Sequence, residues 1–304
     1  MTDPLRSPRP ATQGEVATGV IRVIAPNPSP MTHWGTNTFI LGTGADRVLI
    51  DPGPDSAAHR EAIMAALPDG TRISHILVTH AHLDHSAGVP ALAALTDAPV
   101  MAFGDATSGR TEIMQRLARE EDALGGGEGV DHGFAPDIKL ADRAVVETAA
   151  GPVTALHTPG HMSGHLSFLW EGLCFTGDLI MGWSTSLISP PDGDASTYRE
   201  SLTLLRQLGP SRLMPAHGDA IDTPEARISE LLDHRAMRES QILAELAKGP
   251  CDLTTLTRAI YSDLPAPALP YAARNTLAHL IDLYEQKRIS ATPHLSQSAR
   301  FSRA

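Results

Sequence analysis

Short apolar runs punctuated by Gly, Pro and Asp fill the first two thirds of the chain. NTFILG (37–42) and RVLIDPG (47–53) read as a hairpin turning around Gly44, Ala45 and Asp46. ISHILVTH (73–80) is β-branched and apolar until its polar end, the pattern of a buried strand. A second series follows in AVVETA (144–149), PVTALH (152–157), HLSFLW (165–170) and GLCFTGD (172–178). Helical stretches fall between and after these, over 57–67, 86–95 and 197–208. Two strand-rich halves with interspersed helices predict sheets packed together and covered by helices, an α/β layered sandwich. GGGEG (125–129) reads as a flexible surface loop, and no repeat of period 20–50 is apparent.

From Thr223 the pattern turns helical. Thr223 suits an N-cap and Pro224 the first turn, and helix formers then run to the Gly249–Pro250 stop. DLTTLTRAIY (252–261) and YAARNTLAHLIDLYEQKRI (271–289) have helical spacing, with Leu277, Leu280, Ile281 and Tyr284 on one face. Two or three helices followed by a short extended stretch fit a small winged-helix-like unit, and a helical cap packed on the first domain fits equally. The expected organisation is a tail (1–17), the layered domain (18–235), the end of a connecting helix (236–249), the small module (250–292) and a second tail (293–304).

Composition excludes several classes. With 42% hydrophobic and 19% charged residues, the 304-residue chain can bury an ordinary core and is not an intrinsically disordered one. No apolar run approaches the ~20 residues of a membrane span, and the first fourteen residues lack the apolar stretch of a secretory signal. Cys174 and Cys251 cannot build a disulfide framework and read as reduced, buried residues of a cytoplasmic protein. The formal charge of −11 opposes nonspecific binding to nucleic acid or anionic membrane. It is unevenly spread: residues 236–304 hold eight basic and six acidic groups, which leaves a net −13 on the first 235. A small-molecule substrate is the expected partner, with no membrane partner, and a homodimer is compatible with the chain.

Fourteen histidines are the remaining oddity, and their clustering carries the chemistry. Thr79-His80-Ala81-His82-Leu83-Asp84-His85 follows the 73–80 strand and precedes a helix near Ser86. Side chains at i, i+2 and i+4 of a tight strand-to-helix turn can converge at the strand's C-terminal edge, with His85 as a fourth. A core has little use for three histidines and an aspartate within six residues, because buried polar groups must be satisfied. Further ligands are expected at similar strand ends. His161 sits in Pro159-Gly160-His161, Asp178 ends CFTGD, and His217 ends RLMPAHG. His33, His75, His132, His157, His234, His279 and His294 match no ligand motif. His165, Trp183 and Tyr198 are candidates to line the site, the last two within the segment that leaves Asp178.

These motifs, in this order, resemble the metallo-β-lactamase superfamily over about residues 18–235. The resemblance implies an αββα sandwich in which His80, His82 and His161 hold a first metal and Asp84, His85 and His217 a second, bridged by Asp178. Asp51, in LIDPG, matches the motif whose carboxylate supports a ligand histidine. His/carboxylate ligation fits two zinc ions, and manganese and iron also accept such sets. Among branches, the oxygen-reducing diiron group carries Glu where this chain has His82. The chain is most similar to the lactamase-beta-like branch that includes the mitochondrial endoribonuclease, through Gly35–Thr38, Thr158–His161, Gly177–Thr185, Pro215–Gly218 and the HRxxRE-x-QIL helix at His234–Leu243. That branch ends in a winged-helix-like module. The implied activity is metal-dependent hydrolysis by a bridging hydroxide, with Asp84 as ligand and proton acceptor, of a small ester, thioester or lactone. Two alternatives keep the ligand set: an endoribonuclease on single-stranded RNA, which the acidic charge disfavours, and a mononuclear iron persulfide dioxygenase.

Overall fold

A computed structural model describes residues 10–120 and 126–304. Its first half is a seven-stranded sheet of β1 (Gln13–Ala17), β2 (Val20–Ile24), β3 (Asn37–Leu41), β4 (Asp46–Ile50), β5 (Arg72–Leu77), β6 (Val100–Ala102) and β7 (Ile138–Lys139), ordered as in sequence. The first four strands are antiparallel neighbours, and β4 through β7 pair in parallel. Parallel pairing demands crossovers, which α1 (Ala57–Ala66), α2 (Leu83–Ser86), α3 (Val89–Thr96) and α4 (Glu112–Leu117) help to make. The second half carries β8 (Val145–Val146), β9 (Val153–His157), β10 (Leu166–Trp170), β11 (Leu173–Gly177) and, after α5 (Ala195–Leu208), β12 (Arg212–Pro215), in the order β12-β11-β10-β9-β8.

Period-two alternation builds the layers. On β3 and β4, Phe39, Leu41, Val48 and Ile50 face the second sheet, where they meet Leu166, Phe168, Phe175 and Met214. Ile40 and Leu49 face the other way, onto Ile63 and Leu92 of α1 and α3. The far face of the second sheet, with Leu156, Cys174 and Leu213, is covered by Leu202 and Leu205 of α5 and by Ile228 and Leu231 of α6 (Pro224–Leu246). The order is helix, sheet, sheet, helix, as expected. Beyond α6 lie β13 (Cys251–Asp252), α7 (Leu253–Ile260), α8 (Leu269–Glu285), β14 (Ile289–Thr292) and β15 (Arg300–Arg303), a helical unit with a small sheet ordered β13-β15-β14. Its core joins Leu256, Leu277, Leu280 and Phe301 to Ile113 and Met114 of α4.

Several boundaries differ from expectation. Residues 13–17, expected in a tail, form β1, whose polar sequence QGEVA suits an exposed sheet edge and hides its strand character. Residues 300–303, expected in the second tail, form β15, where Phe301 alone supplies an apolar anchor. The single helix expected over 86–95 is two helices, because the chain between them closes on the 52–54 turn. Gly88 donates to the Gly53 carbonyl there, and a Cβ at Gly88 would sit 3.0–3.1 Å from the carbonyls of Pro52, Gly53 and Pro54. The Thr223 side chain makes no capping hydrogen bond, and α6 starts on Pro224 without it. The loop expected at 125–129 begins outside the described residues, and 126–129 is neither helix nor strand. Cys174 is buried and Cys251 half-buried, both without a disulfide. Among the described residues no helix is long and apolar enough to cross a membrane.

Candidate metal centre

Four loops leave the C-terminal ends of strands and meet over the gap between the two sheets. After β5 the chain stays extended through His82, which occupies the N-cap position of α2, so His80 and His82 precede the helix and Asp84 and His85 lie in its first turn. After β9, Gly160 (φ 145°) places the backbone against Tyr198, where a Cβ would approach the Tyr198 Cα to 2.5 Å, and His161 follows. After β11, Gly177 (φ 48°) turns the chain into Asp178. After β12, the Ala216 amide donates to the Gly177 carbonyl at 3.0 Å and its carbonyl accepts from Asn37 at 2.7 Å, which fixes His217 between the sheets.

The seven side chains predicted from the motifs converge. His80, His82 and His161 form one group with mutually close ligand atoms, Asp84, His85 and His217 a second, and His80, His85 and Asp178 a third between them. In the first group His82 Nδ1 lies 2.8 Å from His80 Nε2 and 3.0 Å from His161 Nε2. In the second, His217 Nε2 and His85 Nε2 lie 3.3 and 3.5 Å from Asp84 Oδ2. Asp178 faces both: Oδ2 is 3.7 Å from His161 Nε2, and Oδ1 is 3.2 and 3.5 Å from the Nε2 atoms of His217 and His85.

The opposite nitrogens are anchored outward. His85 Nδ1 donates to Asp51 Oδ2 at 2.9 Å, His161 Nδ1 to the Leu187 carbonyl at 2.7 Å, and His217 Nδ1 to the Gly35 carbonyl at 3.3 Å. Asp51, in left-handed conformation (φ 54°), also accepts the Thr79 amide at 2.7 Å and the Thr79 hydroxyl at 2.8 Å. That hydroxyl has spent its proton on a carboxylate, so at 3.0 Å it accepts from His80 Nδ1. In each case the outward N–H leaves the inward nitrogen with a lone pair, the tautomer that binds a metal.

Electrostatics also fits a cation. Burial pushes His80 well below its usual range, helped by neighbouring His85, His82 and His161. Burial and then His161 bring His82 to about 3. Around Asp84 and Asp178 the balance reverses. Burial would lower His85 too, but Asp84, Asp178 and Asp51 hold it well above its usual value, and His217 is raised to about 10 by Asp178 and Asp84 against the same burial. The carboxylates demand positive charge at that spot, and a divalent cation would meet the demand. Among the described residues, His85 Nε2 and Asp178 Oδ1 are buried without a hydrogen-bond partner, as groups reserved for a metal would be. The donor set fits the implied metals.

The other candidates separate. Tyr198 does not reach the open face: it is fully buried beneath Gly160, with the Arg235 guanidinium 4.9 Å from its ring centroid. It packs because the Gly160 backbone needs a flat wall. His165 is fully buried behind the centre, its Nδ1 3.0 Å from the Thr158 hydroxyl and its ring centroid 5.2 Å from that of His80. Trp183 is half-buried and tilted against His33, with ring centroids 5.1 Å apart. It lines a cavity of about 780 Å³ with Trp34, Gly218, Ile221 and Arg227, beside His217. Sequence reasoning missed Thr36, whose hydroxyl donates to Asp84 Oδ2 at 3.1 Å, although it stands in the Gly35–Thr38 motif. It also missed Asn37, whose side chain donates to the carbonyls of Pro215 and Gly218 at 2.9 and 2.8 Å.

A two-sheet sandwich with three His/Asp groups at one sheet edge defines a class of metal-binding α/β proteins, and comparison with known proteins makes it specific. Residues 31–217 match the metallo-beta-lactamase superfamily, and the chain belongs to it. It is 32% identical over 289 residues to a beta-lactamase-like protein 2 homolog of Drosophila melanogaster, covering 90% of each chain. It is 33% identical over 266 residues to an atrochrysone carboxyl ACP thioesterase of Aspergillus fumigatus, covering 81% of this chain and 75% of that one. A beta-lactamase domain protein from Burkholderia ambifaria has the same fold, with a TM-score of 0.78 at 22% identity over 99% of this chain and 96% of that one.

Proposed function

We propose that the chain is a dinuclear metal-dependent hydrolase of small carbonyl substrates, thioesters first. His80, His82 and His161 would hold one ion, Asp84, His85 and His217 the other, and Asp178 would bridge them, with zinc the metal that suits the set. Two such ions polarise a carbonyl and lower the pKa of a water held between them. The chain's own groups do the rest. The Thr36 hydroxyl occupies one face of Asp84 Oδ2, which orients the carboxylate that accepts the water's proton. Addition of hydroxide to the carbonyl and loss of the C–S bond would yield a carboxylic acid and a thiolate, which takes up the proton left on Asp84 and departs as the thiol.

The observation that carries the substrate reading is the cavity beside His217. Trp34, Trp183 and Ile221 wall it, its lining arginine Arg227 pairs with Glu230 (2.7 Å), and its lining carboxylates Asp219 and Asp222 pair with Arg22 (3.2 Å) and Arg212 (2.6 Å) of the neighbouring surface. Such a lining offers an apolar acyl group a surface and gives a phosphodiester chain no surplus positive charge. The thioesterase named among the relatives supports the same reading. We read the α7–α8 unit with its small sheet as winged-helix-like.

The test is one panel on zinc- and manganese-loaded protein: acyl-CoA, acyl-carrier and acyl-glutathione thioesters, aryl esters, lactones and single-stranded RNA. Turnover of a thioester, lost in Asp178→Asn, is expected. RNA cleavage at physiological salt with no carbonyl activity would replace the proposal by the ribonuclease reading, and a reproducible single iron per chain would replace it by the oxygenase.

A further inference from the structure

The HRxxRE helix places a guanidinium where a charge is costly. Arg235 is 1% exposed, and among the described residues its partners are the Ser186 carbonyl, the Asn275 side-chain oxygen and the Tyr198 ring, all neutral. Burying a cation held only by neutral groups costs folding free energy, which makes its placement informative. Its contacts are directional. Nη2 donates to the Ser186 carbonyl at 2.6 Å, and Nη1 donates to Asn275 Oδ1 at 2.9 Å. The same Asn275 oxygen accepts the Ile188 amide at 3.1 Å. Arg235 and Asn275 therefore grip the backbone on both sides of Leu187, the residue whose carbonyl accepts the His161 Nδ1 proton at 2.7 Å. Ser186 ties the segment to the backbone at Asp178 as well, since its hydroxyl reaches the main-chain carbonyls of Asp178 (2.6 Å) and Leu179 (2.7 Å). Asn275 stands on α8, beyond the Gly249–Pro250 break, so the helical unit that supplies no ligand touches the segment that aims one.

We propose that Arg235 and Asn275 are positioning residues for the three-histidine metal site: by fixing the 186–188 segment they hold the Leu187 carbonyl where it sets the tautomer and direction of His161. This rests on the ligand assignment made above. Asn275 makes the affinity of that site depend on the docking of α8, whereas the histidines of the Asp84/His85/His217 site are oriented by Asp51 and the Gly35 carbonyl. Loss of an outer partner of a ligand histidine typically weakens metal binding 10- to 100-fold. The effect belongs to one site of two.

The experiment is a titration of metal-free full-length protein with zinc against a chromophoric chelator, which resolves two affinities, for wild type, His161→Ala, Asn275→Ala, Arg235→Met and Arg235→Lys. His161→Ala identifies the three-histidine step. Asn275→Ala is expected to weaken that step about 10- to 100-fold and the other less than about threefold, with circular dichroism unchanged. Arg235→Lys, which reaches one acceptor and not two, is expected to fall between wild type and Arg235→Met. Should Arg235→Met not fold, Asn275→Ala still decides, because Asn275 is only half-buried. Equal weakening of both steps in Asn275→Ala, or none, overturns the positioning role. Absence of any affinity change in His161→Ala overturns it by a different route, through the ligand assignment itself.

Discussion

Replacing Asp51 by Asn changes one atom and should disable both metal sites. The carboxylate has three partners and is 1% exposed. In Asp51→Asn the retained oxygen keeps the Thr79 amide, and the new NH₂ group then faces the Thr79 hydroxyl and His85 Nδ1. Facing an N–H donor, His85 relieves the clash by moving its proton to Nε2, the nitrogen aimed at Asp84 and Asp178. Thr79 must turn its hydroxyl to accept from the new side-chain amide and donate to His80 Nδ1, which drives that proton to Nε2 as well. Each wrong tautomer is worth about 10- to 100-fold in metal affinity. Conversion of the charge-assisted bonds at Oδ2 to weaker ones costs the metal-free fold about 2–3 kcal/mol. The assay is chelator competition at about pH 7.5 beside thermal unfolding in excess chelator. Thr79→Val should weaken the His80 step and spare the other. Binding of both metals by folded Asp51→Asn within about threefold of wild type would refute the relay from Asp51 through Thr79 to His80.

Asp178→Asn should lower kcat at least about 100-fold while circular dichroism still reports a folded chain, measured by steady-state kinetics beside the spectrum, because the lost charge is the one that would bridge the metals. Gly160→Ala should remove the three-histidine step from the metal titration and cost about 3 kcal/mol or more, since its Cβ would collide with the Tyr198 backbone at a φ that L-residues rarely adopt. A mild effect in either readout would show that this loop adapts. His59, buried and bonded to the Thr38 hydroxyl at 2.8 Å, is lowered by burial to about 4. Between that value and 6.5 the unfolded chain binds more protons, so stability falls as pH drops, by about 2 kcal/mol from pH 7 to pH 5. Urea unfolding should lose that increment of slope in His59→Gln, and an unchanged slope would sink the assignment.

What can be read from the sequence is whatever residue type alone encodes. The alternation in NTFILG and HLSFLW announces strands that pack on both faces, and ligand-capable side chains ending apolar runs announce a shared sheet edge. What escapes has one physical source: roles that belong to the backbone or to packing. The Leu187 and Gly35 carbonyls that orient His161 and His217 would be the same atoms on any residue, so no letter marks them. Arg235 looks like an exposed basic residue in a polar helix until α8 closes over it. Tyr198 looks like a substrate contact because it follows Asp178 in sequence, but α5 turns it inward, under Gly160. Edge strands escape for the opposite reason. QGEVA is polar because an unpaired edge must resist aggregation, which erases the apolar pattern used to recognise strands.

The placement of the seven candidate ligands ties the site to both sheets. His80, His82, Asp84 and His85 come from the first sheet, and His161, Asp178 and His217 from the second, so neither sheet holds a complete site. The sheets are already joined at this edge by polar bonds: Asn37 to the carbonyls of Pro215 and Gly218, and a backbone bridge from Thr36 to His217. A metal that binds only when both sheets are in register adds its binding free energy to their packing. The same logic extends outward. The 178–190 segment runs from Asp178 toward α6 and α8, where Arg227 holds the carbonyls of Met181 (2.9 Å) and Ser184 (2.6 Å) and Arg235 that of Ser186 (2.6 Å). Two arginines on one helix face, two turns apart, thus secure successive parts of one loop. Their spacing, Arg227 to Arg235, is that of one face of a helix. An element that offers no ligand can therefore govern the site through carbonyl groups alone, and a search for function confined to ligating residue types passes it by.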